Sequence, residues 1–427
     1  MAKISKIYFL LLLIFCSAIS CLAAEEALSW GDCIREAAKN HPDLIAAQQQ
    51  IKQSQASKQV TASALYPQID SSLNASTGRT DNNTSHTVSD SYSYGLSGTQ
   101  LIFDGNKTLN NVRAAGENIA ASQQSFQFIS ATVRFRLRSA FIDLLRAQEM
   151  LRITEEIYNI RRENLELITL RYESGLEHKG ALLTAEADLA SAEYDISQTK
   201  RSVEVAERKL TKEMGREQLV SMRVEGDFMI TGPAKGKEKP DFSPIANNHP
   251  SLKQLVAQKN SAEFSLRSAY ANFAPTLNGS AGANKSGSHW EPKGNQWNLG
   301  LSLTWPVFEG GLRMAQIAQA KALVEQLREN ERSTRDGLIS TLEQTWALLQ
   351  DAIENVEVQK KSLVATEERS KIAQAQYSIG FITFDNWTII EDNLVKAKKA
   401  YLNAQAAAQA AEASWVQAKG EVLEYAS

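Results

Sequence analysis

The residues of this chain that could do chemistry are few and widely separated. The five histidines lie far apart in the sequence, at His41, His86, His178, His249 and His289. Of the three cysteines, Cys16 and Cys21 lie near the N-terminus, which leaves Cys33 alone in the body of the chain. This set offers neither a cysteine-rich zinc site nor a disulfide framework. We therefore predict no metal site, no cofactor and no disulfide.

Motifs of enzymatic catalysis are also missing from the sequence. It contains no glycine loop with a lysine for phosphate binding, no nucleophile elbow, and no carboxylate pair whose spacing favours acid–base catalysis. The formal net charge of -3 over 427 residues gives no electrostatic reason to expect nucleic acid as a partner. The sequence therefore indicates a protein that is not an enzyme.

The N-terminus has the layout of a secretory signal, which we place at residues 1–24 with cleavage near 20–24. Two early lysines precede an apolar run from Ile7 to Phe15, and mostly small residues follow. This run is too short to span a bilayer as a helix, and no later uncharged stretch is long enough, so a membrane span is expected to be a β-barrel. Ala18-Ile19-Ser20-Cys21 loosely resembles a lipobox, so lipidation of Cys21 competes with ordinary signal cleavage.

The rest of the chain is a tandem duplication of one structural unit. Asn40-His41-Pro42 recurs as Asn248-His249-Pro250, and Phe103-Asp104-Gly105 recurs as Phe308-Glu309-Gly310. Other shared positions keep the same order, at a separation of about 205 residues. Chance similarity between alanine-rich helices would not preserve these proline- and glycine-containing motifs or their spacing. We assign the first repeat to 25–215, an inter-repeat linker to 216–240, and the second repeat to 241–427.

Each repeat opens with a predicted helix and continues with a predicted β-hairpin. Pro42 and Pro250 fit the first position of a helix, so the preceding His41 and His249 are interpreted as caps. The hairpins are placed at about 68–103 and about 276–308. In the second hairpin, apolar residues from Trp297 to Val307 alternate with small polar ones. A lipid-facing strand requires this alternation, although a half-buried sandwich strand would show it too.

Long helices follow each hairpin and favour the membrane interpretation. No proline lies between Pro67 and Pro233 or after Pro306. At ~1.5 Å per residue, each uninterrupted helix would be roughly 100 Å long and would need a partner along its apolar stripe. Gly175 and Gly380 mark the reversals to those partners. The predicted long helices span about 105–174 and 311–379, and the returning helices span about 180–215 and 384–420.

This arrangement resembles the TolC family of outer-membrane efflux proteins over nearly the whole mature chain. The most specific residues are Arg171-Tyr172-Glu173-Ser174-Gly175, then Leu183, Ala185, Glu186 and Leu189, and later Tyr377-Ser378-Ile379-Gly380 with Leu394. The resemblance implies a mixed α and β membrane protein, a homotrimer in the bacterial outer membrane. Four strands per protomer would close a twelve-stranded transmembrane β-barrel that continues into a long periplasmic α-helical barrel. Four strands alone cannot close, and open edges are not tolerated in lipid.

The resemblance also implies functional positions. The family contacts its periplasmic adaptor at the helix-turn tips, which correspond here to Ser174, Gly175, Leu176, Ile379, Gly380 and Phe381. Some relatives close the pore with aspartates just inside the tip, where this chain has Asn386, with Asp385 beside it, and Ile389. Asp385 and Asn386 are therefore a hypothesis for the constriction, against the alternative that they are solvated tip residues. The loops around Asn82-Asn83 and from Lys285 to Gly294 would face outside, and the linker would lie at the waist of the helical barrel.

The predicted function is a passive exit duct of a tripartite efflux system. Energy would come from an inner-membrane transporter that is joined to the duct through the periplasmic adaptor, also called a membrane fusion protein. Two alternatives remain open at this stage: the exit duct of a type I protein-secretion system, and an exported coiled-coil scaffold without a pore. Ion conductance by a membrane trimer would separate either duct from the scaffold.

Overall fold

The computed structural model describes residues 26–82, 85–218, 221–228 and 238–423. The predicted signal peptide, Cys21 and Asn83 lie outside these ranges. The helices are α1 (Trp30–Asn40), α2 (Pro42–Ser63), α3 (Lys107–Glu173), α4 (Lys179–Met214), α5 (Phe242–Asn248), α6 (Pro250–Ala271), α7 (Leu312–Ser378) and α8 (Phe384–Ala418). The strands are β1 (Glu26–Leu28), β2 (Gln68–Asn82), β3 (Ser85–Phe103), β4 (Met222–Val224), β5 (Thr276–Gly287) and β6 (Gly294–Thr304). Within the described ranges, no helix has the length and apolarity needed to cross a membrane.

The chain divides into two compact units. Unit 1 comprises Met1–Pro42, Ala131–Lys239 and Gln344–Ser427, and unit 2 comprises Asp43–Ser130 and Pro240–Glu343. The long helices α3 and α7, each of 67 residues, contribute residues to both units.

Unit 2 contains a four-stranded antiparallel sheet in the order β2-β3-β5-β6. Its two hairpins come from the two repeats and pair through β3 and β5, so that Leu96 lies opposite Ala283. A register shift between Leu101 and Phe103 interrupts this pairing near the helical end of β3. The outer edges of β2 and β6 have no strand partner in the described part of the chain.

The register sorts the strand residues onto two contrasting faces. Paired residues on neighbouring strands share a face, and successive residues alternate between faces. We call one side the apolar face; it carries Ile69, Leu73, Tyr94, Leu96, Leu277, Ala283, Trp297, Leu299, Leu301 and Leu303. The opposite, polar face carries Asp70, Ser72, Asn74, Ser93, Ser97, Ser280, Asn284, Asn298, Ser302 and Thr304. Trp297 and Leu299 are 81% and 80% exposed, so the described residues leave this part of the apolar face uncovered.

The helices of unit 2 begin where the sequence motifs indicate. Pro250 occupies the start of α6, and the Nδ1 atom of His249 accepts a hydrogen bond from the Ser251 amide at 3.3 Å, which satisfies a free N–H of the first turn. An ion pair between Lys259 Nζ and Glu331 Oε2, 2.7 Å apart, links α6 to α7.

Unit 1 is built on buried apolar residues of α1, α3, α4 and α8. Helix α1 begins with a capping box in which Ser29 and Asp32 satisfy each other's backbone amides. His41 is the C-cap of α1, and its ring lies 3.5 Å from the Glu213 carboxylate. The core includes Cys33, Leu137, Phe141, Leu144, Leu210 and Met214, all of them buried.

The linker between the repeats contributes a strand that the sequence does not predict. β4 pairs in parallel with β1, and Met222 lies opposite Glu26. The segment after β4 lies against α8, because the Gln409 side chain of α8 donates to the Asp227 carbonyl at 2.8 Å. Strands of three residues are too short to show a detectable alternation, so sequence patterning misses both of them.

Candidate functional site: the helix-turn tips

The first tip is the turn between α3 and α4. Helix α3 ends in a Schellman motif, in which the Leu176 amide donates to the Arg171 carbonyl at 2.8 Å and the Gly175 amide donates to the Tyr172 carbonyl at 3.0 Å. Gly175 has φ +70°, the left-handed conformation that this motif requires and that glycine adopts without strain. His178 then caps α4 by accepting from the Ala181 amide at 3.1 Å.

The second tip, between α7 and α8, repeats this geometry. The Phe381 amide donates to the Gln376 carbonyl at 2.8 Å, and the Gly380 amide donates to the Tyr377 carbonyl at 3.0 Å. Gly380 has φ +79°, and Thr383 caps α8. The two repeats therefore reverse direction with the same hydrogen-bond pattern, which explains why the glycine recurs in the sequence.

The residues predicted as adaptor contacts all lie in these two turns. Leu176, Ile379 and Phe381 are 67%, 71% and 79% exposed, although their side chains are apolar. Ser174 directly follows α3 and donates its hydroxyl to the Leu170 carbonyl at 2.7 Å. A Cβ atom added at Gly175 or Gly380 would meet nothing within 4 Å, so the turns themselves are open. Adjacent exposed apolar side chains are the usual mark of an interaction surface.

An aromatic cluster beneath the turns joins the two helical hairpins, α3–α4 and α7–α8. It is formed by Ile168, Ala181, Ala185, Ala373, Tyr377, Phe384 and Trp387, which we call the tip cluster. The rings of Tyr377 and Trp387 stack with centroids 4.5 Å apart and an angle of 7° between their planes. Because both α3–α4 and α7–α8 supply members, burial of the tip cluster holds the two turns together.

A polar contact also crosses between the hairpins at this level. The Tyr377 hydroxyl donates to Glu177 Oε2 at 2.8 Å, and the Arg171 guanidinium lies 4.8 Å from the centroid of the Tyr377 ring. Burial raises the pKa of Tyr377, and the hydrogen bond to Glu177 raises it further. The phenol is therefore a stable neutral donor. In the sequence, Tyr377 stands out as part of a repeated motif and of the family resemblance, but no local pattern pairs it with Glu177.

Asp385 and Asn386 lie in the first turn of α8, and both are exposed. The Asn386 amide donates to the Thr383 hydroxyl oxygen at 3.4 Å as part of the cap. A carboxylate in the first turn of a helix is favoured by the helix dipole, which gives Asp385 a structural role whether or not it lines a pore.

Farther from the turns, one arginine bridges three helices. Arg161 of α3 is 9% exposed; it contacts Asp188 of α4 at 3.3 Å and pairs with Asp392 of α8. Burial raises the pKa of Asp188, although the neighbouring arginine opposes the shift. This triad ties the α7–α8 helix pair to the α3–α4 pair, and no local sequence pattern indicates it.

No group of histidine, cysteine, aspartate or glutamate able to hold a metal ion occurs in the described ranges. Cys33 is fully buried, and burial raises the pKa of its thiol to about 12, which keeps it protonated and unreactive. Among the described residues, the candidate functional features are therefore the exposed apolar turns and the tip cluster beneath them.

Comparison with known proteins agrees with this architecture. The family model described as "Outer membrane efflux protein" matches residues 33–216 and 243–421. The chain is 22% identical over 346 residues to the outer membrane efflux protein BepC of Brucella suis, a match that covers 78% of this chain and 72% of that protein.

Solved structures share the fold. A crystal structure of CusC, described in terms of folding and transmembrane channel formation, has a TM-score of 0.79 at 18% identity and covers 93% of this chain and 95% of that one. The open state of the MtrE outer membrane channel of Neisseria gonorrhoeae has a TM-score of 0.77 at 18% identity, with coverage of 95% and 94%. The relatives and neighbours of the chain are outer-membrane proteins and channels, not enzymes. Because the family model spans both repeats, the chain belongs to the outer membrane efflux protein family, the family of TolC, and is an outer-membrane protein with a large periplasmic helical part.

Proposed function

We propose that the protein is the trimeric exit duct of a tripartite efflux system. The observation that carries the proposal is the two-faced sheet of unit 2, in a chain whose relatives are outer-membrane efflux channels. One face is apolar and exposed, as lipid contact requires, and the other is lined with serine, asparagine and threonine, as an aqueous lumen requires. A scaffold without a pore has no use for this pairing of faces.

The open edges of the sheet support assembly with further copies. Strands β2 and β6 each leave one row of backbone groups without a strand partner in the described part of the chain. Unpaired backbone groups cost several kcal/mol each in lipid, by the general estimate for buried amides. Three copies would pair β6 of one protomer with β2 of the next and close twelve strands, which removes every edge.

The tips are the proposed contact with a periplasmic adaptor. Leu176, Ile379 and Phe381 present apolar side chains on rigid Schellman turns, and the tip cluster fixes the turns relative to one another. An inner-membrane transporter on the far side of the adaptor would supply the energy, since no catalytic constellation was found in the sequence. The duct itself then conducts passively.

Asp385 and Asn386 remain the proposed constriction of the pore. Both side chains are exposed near the second tip, where three copies would bring three carboxylates together. If so, Asp385→Ala raises single-channel conductance and weakens cation selectivity in a planar bilayer. Asp336→Ala, which removes an exposed carboxylate in the part of α7 that belongs to unit 2 while the tips belong to unit 1, leaves both unchanged. If the two variants had the same conductance and cation selectivity, Asp385 would not form the constriction.

The experiment that tests the duct is single-channel recording on the purified protein, with the oligomer mass determined on the same sample. Steady conductance from a trimer is the expected result. A trimer that stays closed in both wild type and Asp385→Ala, or a monomer that never inserts, would favour the exported scaffold. If cells that carry the duct exported a protein substrate and not small molecules, the duct would be assigned to a type I secretion system.

A further inference from the structure

The apolar face of the sheet ends in a row that contains a lysine. Lys285 of β5 lies between Tyr94 of β3 and Asn295 of β6, and its register places all three on the apolar face. The adjoining row, toward the helices, is Leu96, Ala283 and Trp297. Lys285 therefore marks where the hydrocarbon-facing surface stops at the hairpin end of the sheet, the end opposite the helices.

The loop between β5 and β6 folds over this same face. The ring of Trp290 packs edge-on against Tyr92 with centroids 6.1 Å apart. Gly287 pairs with Tyr92, and a Cβ atom added to it would lie 3.1 Å from Pro292 Cα and 3.6 Å from the Lys293 amide nitrogen. The loop thus brings Trp290 and Lys293 beside the outer end of the apolar face, next to the row of Lys285.

We call Tyr92, Tyr94, Lys285, Trp290 and Lys293 the rim cluster. Neither lysine forms an ion pair with any residue that the structure describes. The nearby carboxylates are Glu291 in the loop and Asp90, which lies two residues beyond Tyr92 along β3, farther from the apolar band. Lys285 is therefore the charge in the row that adjoins the apolar band, and Lys293 shares the neighbouring loop with Glu291.

This combination fits one kind of partner. Tyrosine and tryptophan favour the lipid headgroup level because each has an apolar body and a polar tip. Lysine can lay its methylene chain along apolar surface while its ammonium group reaches the headgroups, where it attracts anionic lipid. A lipid phosphate held by two ammonium groups, with its acyl chains continuing along Leu96 and Leu299, matches the order of residues along the strands.

We propose that the rim cluster binds the phosphate groups of an anionic lipid in the outer leaflet of the membrane. The inference rests on the proposed insertion of the sheet into lipid and goes beyond it by naming a lipid class and its contacts. The site would select phosphorylated lipid from its neutral counterpart at a fixed position on each protomer.

The test is retention of lipid by the purified full-length protein, measured by native mass spectrometry in neutral detergent. The probes are diphosphoryl lipid A and the same lipid A with its phosphates removed. Wild type is expected to retain the phosphorylated form preferentially, and Lys285→Gln and Lys293→Gln are each expected to lower that retention about fivefold. Lys285→Arg keeps the charge and should keep most of the retention.

Lys253→Gln is the matched control, because Lys253 is an exposed lysine of α6 in the same unit but outside the strands. It should leave lipid retention unchanged. Equal retention of both lipids by wild type, or equal loss in Lys253→Gln and Lys285→Gln, would overturn the proposal. Full displacement by millimolar inorganic phosphate would also overturn it, because the site would then be one for a free anion. Conductance in a neutral bilayer separates failure of this inference from failure of the proposed function. If wild type conducts but shows no lipid preference, only the lipid site is wrong. If wild type does not insert, the proposed duct is wrong.

Discussion

At the scale of single residues, the tips depend on side chains that differ between the repeats. Tyr172 and Tyr377 occupy the same position, three residues before the tip glycine, yet Tyr172 is 38% exposed and Tyr377 only 1%. Only Tyr377 stacks on a tryptophan and donates to Glu177. The two repeats therefore carry the same residue at this position, but only Tyr377 packs between the two helical hairpins.

Tyr377→Phe should destabilise the protein, whereas Tyr172→Phe should not. The first substitution keeps the stacked ring but removes the donor to a carboxylate that is largely shielded from water, a loss of about 1.5 to 3 kcal/mol for a hydrogen bond to a charged group. The measurement is thermal unfolding of both variants in the same detergent, followed by circular dichroism. Equal melting temperatures for the two variants would show that the cross-hairpin hydrogen bond contributes nothing to stability.

His249 should make stability depend on pH. Burial lowers its pKa in the folded protein, and its Nδ1 atom must stay unprotonated to accept from the Ser251 amide. The folded state therefore binds fewer protons than the unfolded state, whose histidine pKa is about 6.5. The contribution of His249 is complete above that value and is lost as the pH falls below it toward the folded pKa.

His249→Asn isolates this effect, because asparagine caps a helix without titrating in this range. Wild type should lose more stability than the variant between pH 7.5 and pH 5, measured by thermal unfolding in matched buffers. At pH 5, amide exchange in the first turn of α6 should also be faster in wild type than in the variant, after correction for the intrinsic effect of pH on exchange. An identical pH dependence in the two proteins would mean that other groups govern acid sensitivity.

At the scale of secondary-structure elements, the tip glycines are held by backbone geometry. Gly380 must adopt a positive φ for the Schellman turn, so alanine there is strained although space is available. Gly337 lies exposed in the interior of α7 with ordinary helical φ, where alanine is the better residue by roughly 0.5 to 1 kcal/mol. Gly380→Ala should therefore lower the melting temperature and Gly337→Ala should raise it. Changes of the same sign in both variants would contradict this account.

The elements differ in how far sequence could predict them. Alternation from Trp297 onward indicated a strand where the structure has β6, and uninterrupted apolar spacing indicated the helices that became α3 and α7. These signals are local and long. The pairing of β1 with β4 joins segments far apart in the chain through three residues each, and the contact between Glu177 and Tyr377 is also remote in sequence. Tertiary packing determines such contacts, and no periodicity in one segment encodes its distant partner.

At the scale of the whole molecule, the two-faced sheet and the tips belong to different compact units of one chain. Unit 2 carries an exposed apolar surface suited to lipid, and unit 1 carries exposed apolar turns suited to a protein partner. A passive duct needs both, because its energy comes from a partner and its exit lies beyond the membrane. The rim cluster would then fix the position of the sheet at the outer lipid boundary.

The assignment of the two faces of the sheet can be tested with two adjacent residues. Leu301 lies on the apolar face, and Ser302, the next residue of β6, lies on the polar face. Arginine at Leu301 would place a charge in hydrocarbon at a cost of about 2 to 4 kcal/mol per copy near the middle of the membrane, which three copies would triple. Leu301→Arg should sharply reduce the heat-modifiable trimer in the outer-membrane fraction. Ser302→Arg, whose side chain would enter the water-filled lumen, should preserve the trimer and lower its cation conductance. If Ser302→Arg prevented assembly while Leu301→Arg did not, the apolar face would be turned away from lipid and the proposed barrel would be wrong.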